Sequence, residues 1–245
     1  MRTLGRSAGI CGAVLVLSTA ATGCADNESE IYIRNVVAPD ESCVYTAAQD
    51  GISYLSGLLD GAVRFEYSAT LLVGNQTVSR GDSDSLRTET SSVNIYEYDV
   101  RVLNAEGAVF EGAAFTAPTA GFINAKVGEE DGFGVVGVVL IDGATGQALG
   151  QAAGGAPQQV VSEVVVRGRT LGGNEVESRP FPFPISICAG CSVIFPIGVA
   201  TPDNACGADP EEAPEGLGCT PGQDSSGVPC YQCRNSNPGV CNPPL

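Results

Sequence analysis

The sequence predicts an all-β protein: an antiparallel, immunoglobulin-like β-sandwich followed by a disulfide-rich, irregular C-terminal tail. Three observations predict it. Apolar and polar residues alternate strictly over several segments, glycine-rich turns separate these segments, and no convincing amphipathic helix interrupts them. A period of two is typical of strands with one buried face, and such strands pack as two facing sheets. Another all-β form, such as a jelly roll, fits the same pattern.

Two segments alternate most clearly. The first, "AVRFEYSATLLVG", predicts a strand with these residues on its inward face: Val63, Phe65, Tyr67, Ala69, Leu71 and Val73. The second, "NIYEYDVRV", predicts an inward face of Tyr96, Tyr98, Val100 and Val102 and an outward face of Glu97, Asp99 and Arg101. Strict alternation over this length excludes a helix for either segment.

The remaining elements follow from local signals. "IYIRNVVA" predicts a strand at residues 31–38, and the continuous apolar run "FGVVGVVLI" predicts a central strand covered on both faces. That run ends at Asp142-Gly143, which is a turn dipeptide. "GISYLSGLLDG" is the one short helical candidate, and Gly57 weakens it.

A hairpin is predicted near the end of the sandwich. "QVVSEVVVRGRT" alternates, and "LGGN" turns it back into "EVESRPFPFPISIC". Pro180, Pro182 and Pro184 have no N–H group to donate, so we expect this last segment at a sheet edge or barely within a sheet.

The N-terminal residues predict export. Arg2 and Arg6 precede a short apolar stretch and the small residues "STAATG", which is typical of a signal peptide covering residues 1–23. The apolar stretch is shorter than the roughly 20 residues that span a bilayer. Cys24 follows Gly23 and resembles the acylated cysteine of bacterial lipoproteins, although Ala21 stands where that family has Leu. The resemblance implies lipidation of Cys24 and a tether over residues 24–30; cleavage by an ordinary signal peptidase is the alternative.

Cysteine arithmetic supports the lipid anchor. The chain has ten cysteines; Cys11 leaves with the signal peptide, and lipid on Cys24 leaves eight that can pair completely. These disulfide candidates are Cys43, Cys188, Cys191, Cys206, Cys219, Cys230, Cys233 and Cys241. Because Cys43 stands far from the others, full pairing requires a long-range bond from the tail to the sandwich.

The two C-x-x-C pairs, Cys188 with Cys191 and Cys230 with Cys233, have other interpretations. They could form a zinc ribbon or a redox dithiol. An oxidising compartment favours structural disulfides, and neither pair opens a helix, where a catalytic thiolate is stabilised. We therefore predict no metal and no cofactor.

The composition divides the chain. We expect the sandwich over residues 31–197 and a Cys/Pro-rich tail over residues 198–245, which has too few aliphatic residues to bury a core and depends on cross-links. The formal net charge is −16, and loss of Arg2 and Arg6 lowers it by two, to −18. Nucleic acid is thereby excluded as a partner, and attachment to a membrane must come from the lipid on Cys24 rather than from charge.

Catalytic residues are not predicted. The chain has no histidine, so a Ser-His-Asp or Cys-His arrangement cannot be built, and Lys126, the single lysine, has no S-x-x-K motif beside it. We expect no enzyme.

Three sets of loop or aromatic residues are candidates for binding. Arg80-Gly81-Asp82 is an adhesion tripeptide. Calcium could be bound by Asp82 and Asp84, or by Glu129, Glu130 and Asp131, but none has EF-hand spacing, so solvated loops are the expectation. A platform for glycan or peptide could be formed by Tyr45, Tyr54, Tyr96 and Tyr98.

Two motifs carry a resemblance over most of the mature chain: "FPISICAGC" at residues 183–191 and "TPGQD" at residues 220–224. They are similar to elements of bacterial outer-membrane lipoproteins that have a β-sandwich and a cysteine-rich C-terminal tail. The resemblance implies a location in the cell envelope and a fold, and no activity. We expect a non-catalytic lipoprotein with a structural or interaction role; the alternatives are a carbohydrate- or peptide-binding module and a zinc-ribbon-like or redox C-x-x-C protein.

Overall fold

The computed structural model describes residues 29–62, 64–82, 84, 86–153, 157–189, 219–220 and 222–224. Within them the chain forms the following elements in order: β1 (Ile31–Val37), β2 (Ser53–Tyr54), β3 (Gly57–Asp60), β4 (Tyr67–Asn75), β5 (Val93–Leu103), β6 (Val109–Ile123), β7 (Gly132–Ile141), α1 (Gly143–Ala153), β8 (Gln158–Thr170), β9 (Glu175–Glu177) and β10 (Phe181–Cys188). No helix among these is long and apolar enough to cross a membrane.

The strands form two sheets that pack face to face. One has the order β2-β1-β4-β7, and the other has the order β3-β10-β8-β5-β6 with β9 beside β8. Both sheets contribute to one hydrophobic core, whose largest fully buried side chains include Tyr67, Phe183, Ile31, Leu71, Leu140 and Ile185. The all-β class is confirmed, as is an immunoglobulin-like sandwich in the broad sense of two packed sheets. The expected antiparallel pairing is wrong at one place, because β3 and β10 run parallel.

A β-bulge changes the predicted faces of β5. Ile95, Tyr98, Val100 and Val102 are buried, but Tyr96 is 42% exposed. The register with both neighbouring strands shifts between Ile95 and Glu97, so one extra residue is inserted and the alternation restarts. The prediction that Tyr96 faces the core is therefore wrong, and it is correct for the other three residues.

The strand predicted from residue 63 begins later. β4 starts at Tyr67. Phe65 precedes the strand and is exposed, with its carbonyl close to Gly146 of the helix; Val63 lies outside the described residues. Tyr67, Leu71 and Val73 are buried as expected.

β7 is an edge strand of its sheet rather than a central one. Its outer edge meets the end of β6 so closely that a Cβ added at Gly134 would lie 2.4 Å from the Phe122 carbonyl oxygen. Farther along, the Thr119 hydroxyl donates to the Gly137 carbonyl and the Val139 N–H donates to Tyr98 Oη, at 2.6 and 3.0 Å. Side chains of the opposite sheet thus satisfy part of this open edge.

One helix expectation and one turn expectation are wrong. "GISYLSGLLDG" forms β2 and β3, while the Asp142-Gly143 dipeptide begins α1 rather than a turn. Asp142 caps the helix: its Oδ1 accepts from the Ala144 and Thr145 N–H groups, and the Thr145 hydroxyl donates to Oδ2 at 2.6 Å. Burial by itself would raise the pKa of Asp142, but these hydrogen bonds outweigh it and lower the pKa.

The proline-rich strand lies partly at an edge. β10 pairs with β8 from Phe181 to Ile187, and β3 covers its other side only from Ile185 to Cys188. Pro182 and Pro184 therefore stand where the second side of β10 has no partner strand in the described structure. The predicted hairpin through "LGGN" is confirmed by the pairing of β8 with β9 and β10.

Candidate functional site

A disulfide joins the tail to the sandwich. Cys43, in the loop after β1, is bonded to Cys219, which is 176 residues later in the chain, and their Cα atoms are 5.4 Å apart. The predicted long-range bond of Cys43 is confirmed. Cys188, at the end of β10, is also in a disulfide. The other candidates, Cys191, Cys206, Cys230, Cys233 and Cys241, lie outside the described residues, as do Cys24 and the boundary at residue 197.

The residues after Cys219 extend the sheet beyond β3. Gln223 forms an antiparallel bridge with Leu59. The Asp60 N–H donates to the Gly222 carbonyl at 2.8 Å, and the Asp224 N–H donates to the Leu58 carbonyl at 2.9 Å. The tail thereby covers the edge of β3, whose backbone groups would otherwise be open to another strand.

Gln223 also reaches the opposite sheet. Its side chain is buried and forms two hydrogen bonds with the backbone of Ser68 in β4. The Ser68 N–H donates to Oε1 at 3.0 Å, and Nε2 donates to the Ser68 carbonyl at 2.6 Å. This is the pairing that a neighbouring strand would make. One tail residue therefore bonds to β3 through its backbone and to β4 through its amide.

The Asp224 carboxylate accepts three hydrogen bonds, one of them from Gln223 Nε2, which lies 3.2 Å from Oδ2. The Leu58 N–H donates to Oδ1 and the Tyr67 hydroxyl donates to Oδ2, each at 2.8 Å. Burial raises the pKa of Asp224, although these hydrogen bonds act in the opposite direction. Burial, and then the charge of Asp224, raises the pKa of Tyr67. We call Cys43, Cys219, Gln223, Asp224 and Tyr67 the tail clasp.

The chemistry of the tail clasp is structural. Its polar groups are paired with each other or with backbone, and the sulfurs of Cys43 and Cys219 are joined. Within the described part of the chain, no group of three His, Cys, Asp or Glu residues could hold a metal ion. Among these residues, Glu129, Glu130 and Asp131 are thus not arranged as a three-carboxylate site.

The adhesion tripeptide lies in a well-organised loop at the other end of the sandwich. Asp82 and Arg87 pair through two backbone hydrogen bonds. Glu89 holds the base: its carboxylate accepts from the Ser79 hydroxyl and from the N–H groups of Arg80, Gly81 and Ser91. Burial by itself would raise the pKa of Glu89, but these donors outweigh it and lower the pKa to about 2.

The acidic segment 129–131 lies beside this loop. Asp131 accepts from Lys126 Nζ at 3.0 Å and from the Tyr32 hydroxyl at 2.8 Å. Lys126 is the leading cause of the lowered pKa of Asp131. The single lysine of the chain is therefore engaged in an ion pair, and Glu129 and Glu130 are exposed.

The four tyrosines do not form one platform. Tyr96 lies on the outer face, where its hydroxyl donates to Glu175 at 2.8 Å, whereas Tyr98 is buried. Tyr45 and Tyr98 line one open groove of about 430 Å³ together with Pro118 and Thr220. Tyr54 is half-buried near Asp224, and its pKa is raised by burial first and by the Asp224 charge second.

The outward face predicted for β5 carries cross-strand ion pairs. Arg167 on β8 contacts Glu97, Asp99 and Glu177, and Arg101 pairs with Glu163 at 2.6 Å. Strands β5, β8 and β9 are therefore linked by charge on the face away from the core.

The comparisons with known proteins do not show a family. No protein-family model matches the chain, and no curated protein matches it. Among solved structures, one similar chain is a late embryogenesis abundant (LEA) protein determined in solution. It is 10% identical with a TM-score of 0.29, and the match covers 66% of this chain and 68% of that one. A likeness at this level carries no argument about fold or function.

The sequence did not predict the contacts of several residues that hold the tail and the loops in place. "TPGQD" was singled out by resemblance, but nothing in it indicates that Gln223 bonds to Ser68 or that Asp224 bonds to Tyr67. The available signal was that Gly and Asp, which tolerate the left-handed backbone conformation, lie close together in this motif. Gly222 and Asp224 both adopt positive φ angles. Glu89 gave no signal, since its donors come mostly from backbone.

Proposed function

We propose that this protein is a non-catalytic lipoprotein of the bacterial cell envelope, held at the outer membrane by lipid on Cys24, with a structural or interaction role. The observation that carries the proposal is the tail clasp. A disulfide such as Cys43–Cys219 forms and persists in an oxidising compartment outside the cytoplasm. The predicted signal peptide would export the protein to such a compartment, and the "STAATGC" segment would provide the lipid anchor.

The carboxylates of this protein bond to its own backbone and side chains, which supports a structural role. Asp224 is committed to Leu58 and Tyr67, Asp131 to Lys126 and Tyr32, and Glu89 to the loop that contains Arg80. Each of these carboxylates holds backbone or another side chain in place. A general acid or a nucleophile needs instead a group directed at a substrate.

The state of Cys188 bears on the zinc and redox alternatives. A cysteine that binds zinc must be a thiolate, and Cys188 is bonded in a disulfide instead. This favours a structural role for the first C-x-x-C pair.

The test is the intact mass of membrane-extracted protein after thiol alkylation without reduction. We expect two or three acyl chains on a chain that begins at Cys24, and no alkylated thiol. Cys24→Ser is the matched control and should release the protein from the membrane. An unacylated chain would overturn the lipoprotein assignment, and alkylated cysteines would return the C-x-x-C pairs to consideration.

A second candidate function is recognition of a carbohydrate or an extended peptide. The observation that favours it is the groove of about 430 Å³, whose lining includes the partly exposed Tyr45 and the hydroxyl-bearing residues Ser68, Thr70 and Thr220. Aromatic faces and hydroxyls suit a neutral polar ligand. A glycan array is the test: binding that is lost in Tyr45→Ala and kept in Tyr96→Ala would support this function, and an array without hits would remove it.

A further inference from the structure

The position of the first described residues limits where the anchor can be. Ser29 contacts the Glu177 carbonyl, and the Gln76 N–H donates to the Glu30 carbonyl at 3.0 Å. The sandwich therefore holds the chain from residue 29 onward, so the tether is shorter than residues 24–30. Five residue steps separate Cys24 from Ser29, and a fully extended chain covers about 18 Å over that length.

Residues 29–31 lie at the same end of the sandwich as three loops. Ile31 pairs with Asn75 and Asn75 with Gly132, while Val93 pairs with both Ile123 and Thr170. The connecting loops, 76–92, 124–131 and 171–174, all begin and end there. We call this the anchor end; the tail clasp lies at the opposite end, where Val37 and Ser53 pair.

Backbone hydrogen bonds connect the three loops. The Ser79 N–H donates to the Lys126 carbonyl at 2.8 Å, and the Gly172 N–H donates to the Thr90 carbonyl at 2.9 Å. Glu89 fixes the base of the first loop. The surface of the anchor end is thus preorganised.

Aliphatic side chains project from these loops into solvent. The exposed fraction is 92% for Leu86, 73% for Val127 and 60% for Val78. Val78 and Val127 are neighbours, because Val78 forms a bridge with Lys126. At the tail-clasp end, Ile52 and Leu55 are as exposed, at 80% and 89%. The position of the anchor, and not exposed apolar area alone, therefore decides which end meets the membrane.

Charge distinguishes among lipid surfaces. The loops of the anchor end carry three cations, Arg80, Arg87 and Lys126, and six carboxylates, so this end is itself net negative; the carboxylates are Asp82, Asp84, Glu89, Glu129, Glu130 and Asp131. The chain as a whole has a net charge of −16, so an anionic bilayer would repel it. A zwitterionic interface would not, and apolar side chains gain free energy by entering it.

We propose that the anchor end rests on the lipid headgroup layer, with Leu86, Val127 and Val78 inserted into the interface. This rests on the proposed lipid anchor, because the short tether is what brings these loops to the membrane. The tail clasp and the groove at Tyr45 then face away from the bilayer, where a partner can reach them.

The chain has no tryptophan, so a single introduced tryptophan can report whether its position enters the membrane. Leu86→Trp places a single fluorophore at the anchor end. Ile52→Trp is the matched control: Ile52 is 80% exposed, and its carbonyl accepts from Ala38, about 23 Å along β1 from Ile31. Each lipidated full-length variant is reconstituted into phosphatidylcholine vesicles with and without brominated acyl chains.

We expect brominated lipid to remove roughly half or more of the Leu86→Trp emission, since inserted side chains reach about 5–10 Å into the headgroup region. The Ile52→Trp emission should stay unchanged. Equal emission from Leu86→Trp in both vesicles, on protein whose mass shows acylation, overturns this inference and leaves the lipoprotein proposal intact. A chain without acyl groups overturns both. Quenching of both variants also overturns it, because the anchor end would have no preference for the membrane.

Discussion

The Tyr67 hydroxyl donates a 2.8 Å hydrogen bond to Asp224 Oδ2, and this bond joins residues that are 157 positions apart in the chain. Tyr67 is fully buried at the start of β4 and packs against Phe183 of the facing sheet. A hydroxyl in that position needs a partner, and the tail supplies it. This hydrogen bond therefore couples the core of the sandwich to the docking of the tail.

Loss of this bond should destabilise the fold. In Tyr67→Phe, Asp224 Oδ2 loses its hydroxyl donor within the sandwich. We expect the free energy of unfolding to fall by about 1–3 kcal/mol, as for other hydrogen bonds to a charged group. Tyr96→Phe is the matched control, because Tyr96 also donates to a carboxylate but on the exposed face; it should change little. Chemical denaturation of both variants measures this, and equal effects would contradict the coupling.

The stabilising contribution of Asp224 should depend on pH. Its pKa is raised in the folded protein, so the native state keeps a proton that the unfolded state has lost. This contribution is fully present below the ordinary aspartate pKa of about 3.9 and declines as pH rises through the folded pKa. Asp224→Asn should abolish the decline. Denaturation midpoints of both proteins from pH 3.5 to 7 test this, and a difference between them that does not vary with pH would be the contrary result.

Removal of the long-range disulfide should lower stability further. Replacing both partners, Cys43→Ser with Cys219→Ser, avoids leaving a new free thiol. The closed loop of 176 residues constrains the unfolded chain by about 5 kcal/mol in the entropic model, so the thermal midpoint should fall clearly. Scanning calorimetry in the absence of reductant provides the measurement. An unchanged midpoint would mean that the hydrogen bonds of Gln223 and Asp224 hold the tail without help.

Glu89 should make the adhesion-tripeptide loop sensitive to acid. Its folded pKa of about 2 is below the ordinary 4.5, so its stabilisation is present above pH 4.5 and is lost as pH falls toward 2. At neutral pH, Glu89→Gln should increase hydrogen exchange at the Arg80 and Gly81 amides, because a neutral amide accepts more weakly. The exposed Glu129→Gln serves as the control. Exchange that is identical in wild type and Glu89→Gln would show that the loop is held by other contacts.

The sequence predicted what depends on periodicity and missed what depends on single contacts. Alternation located the buried residues of β5 except where the bulge at Tyr96 reversed the pattern, and a bulge leaves no mark on a two-residue period. Cysteine counting predicted a long-range bond for Cys43, because eight cysteines can pair completely only if Cys43 bonds to one that is far away in the sequence. It could not choose Cys219, and the bonds of Asp224 depend on three-dimensional proximity alone.

The helix was missed because its own residues disfavour it. Gly143, Gly146 and Gly150 lower the helix propensity of α1, and the Asp142-Gly143 dipeptide is common in turns. The structure shows why glycine is there: a Cβ on Gly146 would lie 1.7 Å from the Phe65 carbonyl oxygen, and one on Gly150 would lie 3.0 Å from Gly61 Cα. Close packing of the helix against the backbone of Gly61 and Phe65 outweighs propensity.

That packing leads to a prediction in which two glycines of one helix respond in opposite directions. Gly146→Ala gains helix propensity but must displace the backbone at Phe65, so we expect a net loss of roughly 1–3 kcal/mol, as for overpacked cores. Gly143→Ala meets nothing within 4 Å and should gain up to about 1 kcal/mol, because it removes backbone freedom from the unfolded chain. Thermal unfolding of the two variants measures the difference. If Gly146→Ala were as stable as Gly143→Ala, α1 would not be packed against the backbone at Phe65.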